Sequence, residues 1–151
     1  MKNPDPEKVK KYLDEIWGHI QGENIPYIEK TLLLPGWGFE QRVAVSYAIG
    51  DIYKSVEDAL RACLTKLEML EIKSGANWHK ELIELAASKG LLTPELKNEL
   101  DNMRRFRHFF VHAYAHNISE KELRELYLPA KDAFEEAVRQ ISEYYDWVDT
   151  K

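Results

Sequence analysis

Cysteine is nearly absent from this sequence, since Cys63 is the only one in 151 residues. One thiol cannot form an internal disulfide, which excludes a disulfide-stapled secreted scaffold and favours a reducing compartment. The first residues contain no apolar core of signal-peptide length, and no hydrophobic run approaches the length of a membrane span. We therefore expect a cytoplasmic protein that has no membrane partner.

Glycine and proline are also scarce, with seven and six residues, and they stand at turns rather than in a low-complexity tract. We find no internal repeat and no linker, so residues 1–151 are expected to form a single domain. The formal net charge of −5 excludes a protein that coats nucleic acid through its overall charge. Any binding of a polyanion must therefore come from a local cationic patch.

Strand-like alternation of polar and apolar residues is absent too, whereas apolar residues recur every three or four positions. This spacing and its capping residues predict five helices. The first extends from an Asp5 cap to Gly22, the second is long and covers 39–72, and the third is short and covers 78–90. The fourth begins near Pro94 with a Thr93 cap and ends at Asn117, and the last begins with a Ser119–Glu122 capping box. The region 23–38 is less regular and contains a strong turn signal, Pro-Gly-Trp-Gly. The fold class is therefore predicted to be all-α, an antiparallel up-and-down helical bundle.

The stretch RRFRHFFVHAYAHN, residues 104–117, concentrates positive charge and histidine in an otherwise acidic chain. Arg107 falls on the apolar stripe that Met103, Phe110 and Tyr114 also occupy. A guanidinium in such a position is costly unless a partner offsets its burial, and such exceptions are typical of functional sites. His112 lies about 140° around a straight helix from Arg107, so the two groups converge only if the helix loosens or two copies of it meet.

The string RHFFVHAY, residues 107–114, resembles the Rx4HxY signature of HepT-like toxins in the HEPN superfamily. The long helix with Tyr53-Lys-Ser-Val-Glu57, the turn at 75–79 and the helix-turn-helix after His116 are similar to the same family's layout. The resemblance covers about 39–147. Residues 39–148 are thus expected to be a HEPN-like core, with 1–38 as an N-terminal helix and connector.

This resemblance implies a metal-independent endoribonuclease without a cofactor, which acts on RNA as a C2 homodimer. In this interpretation Arg107 holds the phosphate and His112 is the general acid or base. His108 occupies the position at which the family often has Asn or Asp. It either supplies a second imidazole to the site or only replaces the polar contact of that Asn or Asp. Arg105 offers an alternative Rx6H spacing, and Glu57 is a candidate to support the motif arginine.

Tyr114 matches the tyrosine that, in HepT-like toxins, the partner can modify with adenylate groups. The resemblance therefore implies a minimal nucleotidyltransferase antitoxin as a partner. Phosphates added at Tyr114 would lie beside Arg107 and occupy the place of the substrate.

Other interpretations of the same residues remain open at this point. Arg107 is alternatively a structural arginine paired with Glu57 or Glu99. Glu57 is alternatively solvated or paired with a residue four positions away on its own helix. The ladder of His108, His112 and His116 has a spacing that zinc sites use, although no motif-like acid supplies a further ligand. A non-catalytic HEPN scaffold, or a substrate-binding partner of a nucleotidyltransferase, is the alternative function. An unrelated bundle with a chance motif is a third possibility.

The other aromatic residues and the cysteine are interpreted as structural. Tyr12 and Trp17 are predicted to lie in the core, as is Cys63. Trp78 and His79 are interpreted as packing and capping residues at a helix start. Trp37 in the Pro-Gly-Trp-Gly turn is either an exposed partner contact or a lid on the core.

Overall fold

The structure is a computed structural model, which describes residues 5–73, 75, 77–111 and 118–147 and omits the side chains of 106–111. All regular structure in these residues is helical, and they contain no strand. The α-helices are α1 (Pro6–His19), α2 (Ile25–Leu32), α3 (Phe39–Ala62), α4 (Trp78–Ser88), α5 (Pro94–Val111) and α6 (Glu120–Tyr144). The predicted all-α helical bundle is therefore confirmed.

The first helix does not end at Gly22 as predicted. The chain passes from α1 through a π-helical turn, Ile20–Asn24, directly into α2. The N–H of Ile25 bonds to the carbonyl of Ile20, and the Asn24 side chain donates to the carbonyl of Ala48 at 3.2 Å. Buried contacts on both sides of Gly22 thus offset the roughly 1 kcal/mol that a glycine costs inside a helix.

The long helix ends earlier than the predicted boundary at residue 72. α3 stops at Ala62, and a π-helical turn, Cys63–Leu67, follows it. Leu70 N–H then bonds back to the carbonyl of Leu64 at 2.8 Å, and Met69 takes a left-handed backbone with φ 55°. These bonds turn the chain out of the helix, although the apolar spacing continues beyond it.

Side-chain caps begin three of the helices where the sequence predicted them. Asp5 accepts bonds from the N–H groups of Glu7 and Lys8, and Thr93 Oγ1 accepts one from Leu96. Ser119 and Glu122 form the reciprocal capping box at the start of α6. The short polar side chains satisfy N–H groups that have no partner in the first helical turn.

Two long-range contacts fix the direction of α6. Glu120, at its start, accepts a bond from the N–H of Trp37 at 2.7 Å, just before α3 begins. Tyr145, just beyond its end, donates at 2.9 Å to Glu68, which follows the π-helical turn after α3. Helix α6 therefore runs parallel to α3.

A third contact gives the direction of α5. The N–H of Thr93, before α5, donates to Gln140 near the end of α6, so α5 runs antiparallel to α3 and α6.

Trp37 is a lid on the core rather than an exposed partner contact. Its side chain is 7% exposed, and its indole N–H donates to the carbonyl of Thr31 at 2.9 Å. The guanidinium of Arg124 lies 4.5 Å from the centre of the ring. The same guanidinium donates to the carbonyls of Leu32 and Leu34. Arg124 thus ties the turn after α2 to α6.

The core is continuous from α1 to α6 and includes Leu13, Ile49, Leu82 and Phe134, which are nearly inaccessible to solvent. Trp17 and Cys63 are buried, as predicted. The prediction for Tyr12 was wrong, because its side chain is 47% exposed. Tyr12 follows the helical spacing of its buried neighbours, but it lines an open cavity between α1 and α3 instead of the core.

None of the described helices combines the length and the apolar character needed to cross a bilayer.

Candidate active site

Glu57 is a buried carboxylate in the C-terminal part of α3. Its side chain is 2% exposed, and Oε2 lies 2.6 Å from Nδ1 of His79 at the start of α4. His79 is itself largely buried, with 16% of its side chain exposed. The interpretation of Glu57 as a solvated glutamate is therefore wrong.

The buried face of α3 explains why this carboxylate points inwards. Glu57 lies beside Val56 and one turn after Tyr53, which are 2% and 1% exposed. A carboxylate among such neighbours is costly unless it is hydrogen-bonded and paired. His79 supplies such a partner from the neighbouring helix.

The bond to Glu57 sets the chemistry of the imidazole. An ionised carboxylate only accepts hydrogen bonds, so Nδ1 of His79 is the protonated nitrogen when it donates to Glu57. A carboxylate on one ring nitrogen orients the ring and fixes its tautomer. The pair can therefore hold a proton at a fixed place inside the bundle.

Two further side chains, Trp78 and Arg61, extend this cluster. The rings of Trp78 and His79 are 3.5 Å apart between their centres, and the Arg61 guanidinium lies 5.1 Å from the centre of the Trp78 ring. Arg61 is one helical turn after Glu57 on α3. The four side chains thus form a continuous layer between α3 and the start of α4.

The motif helix α5 packs against α3, α4 and α6. It includes the backbone of Arg107 and His108, whose side chains lie outside the described residues. His112 and Tyr114 lie outside them as well, as does His116. The roles given to these residues therefore stay predictions.

Arg105, the alternative motif arginine, is exposed on α5. It forms no ion pair within the described part of the chain, whereas Arg104 lies 3.7 Å from a carboxylate oxygen of Asp101. Arg105 is therefore available to an anion in solvent. The position of Arg105 therefore does not decide whether Arg105 or Arg107 is the motif arginine.

The sequence pattern indicates neither His79 nor Arg61 as a member of this cluster. His79 was interpreted as a packing and capping residue because it follows a tryptophan at a helix start. Its partner Glu57 is 22 residues away on another helix, and no periodicity connects the two positions. The signal in the sequence is limited to a histidine at the start of a helix that follows, after a short loop, the helix of Glu57.

The described residues contain no group of three or more His, Cys, Asp or Glu side chains that could hold a metal ion. The ladder of His108, His112 and His116 lies outside these residues, because its side chains are not described. The zinc alternative for the ladder therefore stays open.

The protein is thus an all-α helical bundle that contains a buried carboxylate–imidazole pair. The pair joins α3 and α4, and both helices pack against α5, which carries the motif. A family model described as HepT-like protein matches residues 44–148, which is more than half of the 151-residue chain. The chain belongs to the HepT-like family, and the resemblance given by the RHFFVHAY string is confirmed at this level. Neither the curated proteins nor the solved structures give a significant match.

Proposed function

We propose that this HepT-like protein is a metal-independent endoribonuclease toxin, which acts as a homodimer and which a minimal nucleotidyltransferase antitoxin neutralises. The observation that supports it most is the Rx4HxY string at residues 107–114, inside the segment that matches the family. Arg107 is the phosphate clamp, and His112 is the general acid or base. Arg105 and His108 assist in binding the substrate.

These side chains suit a cleavage that needs no metal. The 2′-oxygen of a ribose forms a bond to the adjacent phosphorus, and the bond from phosphorus to the 5′-oxygen breaks. One imidazole takes the proton from the 2′-hydroxyl, and another gives a proton to the leaving 5′-oxygen. The arginine fork stabilises the charge that develops on the phosphate. A homodimer supplies two copies of His112, one for each proton transfer.

The Glu57–His79 pair supports this assignment from the neighbouring helices. It lies on α3 and α4, and both helices pack against α5, which carries Arg107. A buried anion on a neighbouring helix offsets the cost of placing a guanidinium on an apolar stripe. Glu57 is thus a positioning residue for Arg107, and His79 holds the Glu57 carboxylate in place.

An exposed apolar face on α3 supports the homodimer. Phe39 and Tyr47 are 62% and 66% exposed, and Val43 lies between them on the same side of the helix. Helix α5 is antiparallel to α3, so its C-terminal end points towards the end of the bundle where this face lies. A second copy that covers the face buries these side chains and brings two motif segments close together.

The antitoxin acts through Tyr114. Adenylate groups on its hydroxyl place negative phosphates seven residues along the chain from Arg107, which holds the RNA phosphate in this proposal. Such a modification blocks the clamp without unfolding the protein. Residues 1–38 add α1 and α2 to the core at 39–148, and we treat the chain 1–151 as one domain.

The net charge of −5 favours a second function, that of a non-catalytic dimeric scaffold or a substrate-binding partner of a nucleotidyltransferase. Affinity for RNA depends on cationic contacts, which an acidic surface weakens. The two functions predict different behaviour of the purified protein.

The test is cleavage of single-stranded RNA by the purified chain in the presence of EDTA. The endoribonuclease gives fragments that end in 2′,3′-cyclic phosphate and begin with a 5′-hydroxyl, and adding the nucleotidyltransferase with ATP suppresses them. Intact RNA, together with tight binding to a nucleotidyltransferase, would contradict the toxin and favour the scaffold.

A further inference from the structure

An open cavity of about 770 Å³ lies between α1 and the C-terminal end of α3. This volume is within the range of sites for small molecules, roughly 300–1,000 Å³. One wall belongs to α1, which precedes the segment 44–148 that matches the family. The cavity is therefore built partly from a region that the family match does not include.

Three cations from three segments line this cavity: Lys8 on α1, Arg61 on α3 and Lys66 on the π-helical turn. Within the described residues, none of the three forms an ion pair with a carboxylate. Two acids, Asp5 and Asp58, are also in the lining. The Asp5 carboxylate is occupied as the cap of α1. The charge around the cavity is thus positive on a molecule that is negative as a whole.

The Arg61 guanidinium lies over the Trp78 ring, with Cζ 5.1 Å from the ring centre. A cation–π contact offers the guanidinium no hydrogen-bond acceptor, so its N–H groups can donate to a phosphate. Lys8 and Lys66 add point charges from the other segments. This geometry is suited to a phosphate group.

The cavity also has an apolar wall that a phosphate alone does not need. Tyr12 and Met69 line it, and their side chains are 47% and 51% exposed. Met69 has a left-handed backbone, a conformation that is uncommon for residues other than glycine and that occurs at binding sites. An exposed tyrosine ring beside cations is a stacking surface for a nucleobase.

We propose that this cavity binds a phosphorylated nucleoside, with the phosphate on Lys8, Arg61 and Lys66 and the base against Tyr12. The ligand is either a free nucleotide or one nucleotide of an RNA strand, since both present the same chemistry. None of the described residues that line the cavity belongs to the RHFFVHAY segment, so nucleotide binding is measured separately from RNA cleavage.

Isothermal titration calorimetry on the full chain tests this site. The probes are AMP, inorganic phosphate and a six-nucleotide 2′-O-methyl RNA, which has no free 2′-hydroxyl for cleavage. AMP is expected to bind more tightly than inorganic phosphate. The double variant K8A/K66A is expected to weaken AMP binding at least about tenfold, because it removes two charge-assisted contacts.

Two controls separate specific binding from general charge attraction. K11A/K73A makes the same change of charge with exposed lysines that do not line the cavity. Tyr12→Leu should weaken binding of AMP and leave binding of inorganic phosphate unchanged. Tighter binding of the oligonucleotide than of AMP, again reduced by K8A/K66A, identifies RNA as the source of the ligand, and the reverse order identifies a free nucleotide.

The proposal is overturned if the wild-type chain binds neither AMP nor the oligonucleotide. It is also overturned if K11A/K73A weakens binding as much as K8A/K66A does. Equal affinity for AMP and inorganic phosphate, with no effect of Tyr12→Leu, would remove the nucleoside from the proposal. None of these results bears on RNA cleavage, which is measured separately.

Discussion

Glu57 on α3 and His79 on α4 are joined by a buried contact of 2.6 Å between a carboxylate oxygen and Nδ1 of the imidazole. Both helices pack against α5, which carries the motif arginine. The pair therefore has two consequences that are measured separately. It fixes α4 on α3. It also provides the buried negative charge that we propose to position Arg107.

Replacement of Glu57 by alanine should lower the free energy of unfolding by about 3 kcal/mol, because it leaves the partners of a buried charge without their anion. Chemical denaturation at pH 7 measures this change. Glu84→Ala, on the exposed side of α4, is the matched control and should change the free energy by less than about 0.5 kcal/mol.

A double-mutant cycle with His79→Ala isolates the contact itself. The coupling energy between Glu57 and His79 should exceed about 1 kcal/mol. Additive effects of the two single variants would show that the contact contributes nothing beyond the packing of each side chain.

Arg124→Ala should lower the free energy of unfolding by about 2 kcal/mol, since its guanidinium donates charged hydrogen bonds to two backbone carbonyls. Arg139→Ala is the control on the same helix. Arg139 pairs with Glu136 and Glu143 on the exposed surface, and its loss should matter clearly less than that of Arg124 because solvent screens such pairs. Equal losses in the two variants would refute the link between the α2 turn and α6.

Glu120 should make the stability of the protein depend on pH in the acidic range. The N–H of Trp37, and then Arg124, hold the pKa of Glu120 below its usual value. A carboxylate whose pKa is lower in the folded than in the unfolded state stabilises the fold fully at pH values above the unfolded pKa. This stabilisation is lost as the pH falls through the folded pKa. Glu120→Gln should therefore destabilise the protein at pH 7.

The difference between wild type and Glu120→Gln should shrink as the pH falls below about 4. Denaturant unfolding at several pH values measures it. Glu84→Gln serves as the control for an exposed glutamate. If the difference in the free energy of unfolding stays constant from pH 7 to pH 3, the ionised form of Glu120 does not make the stabilising bonds to Trp37 and Arg124.

Cys63 should be unreactive in the folded protein. Burial raises the pKa of its thiol to about 12, and its side chain is fully inaccessible to solvent. Only the thiolate reacts with alkylating reagents, so labelling at pH 8 should be more than about a thousandfold slower in the native than in the denatured chain. The chain has one cysteine, so the mass shift reports this residue alone. Rapid labelling of the native protein would contradict its burial.

The sequence predicted the local features of the fold, because they depend on short-range chemistry. The caps at Asp5, Thr93 and Ser119 each require one polar side chain beside an apolar run, and all three are confirmed. The burial of Cys63 follows from its place in a stripe of apolar residues.

The errors come from positions where tertiary contacts override local preference. Gly22 lies inside a π-helical turn because the flanking residues are buried. The long helix ends before residue 72 because it passes into a π-helical turn at Cys63, after which the N–H of Leu70 bonds back to Leu64. Tyr12 has helical spacing, but it lies at an open cavity between α1 and α3, so nearly half of it is exposed.

The candidate site was predicted only in part. Glu57 was identified on the long helix, but its partner His79 was not, since pairing across a loop leaves no trace in the spacing of either helix. The family match supports the motif region as a whole, while the roles of Arg107, His112 and Tyr114 depend on side chains outside the described residues.

The most direct test of the ribonuclease mechanism is the rate of RNA cleavage in EDTA for His112→Ala and for His19→Ala. His19 is an exposed histidine on α1 and makes the same chemical change away from the motif. We expect His112→Ala to lower the rate by at least about a hundredfold, the contribution typical of a general acid or base, and His19→Ala to leave it unchanged. Equal rates for the two folded variants would contradict the assignment of His112 and the mechanism built on it.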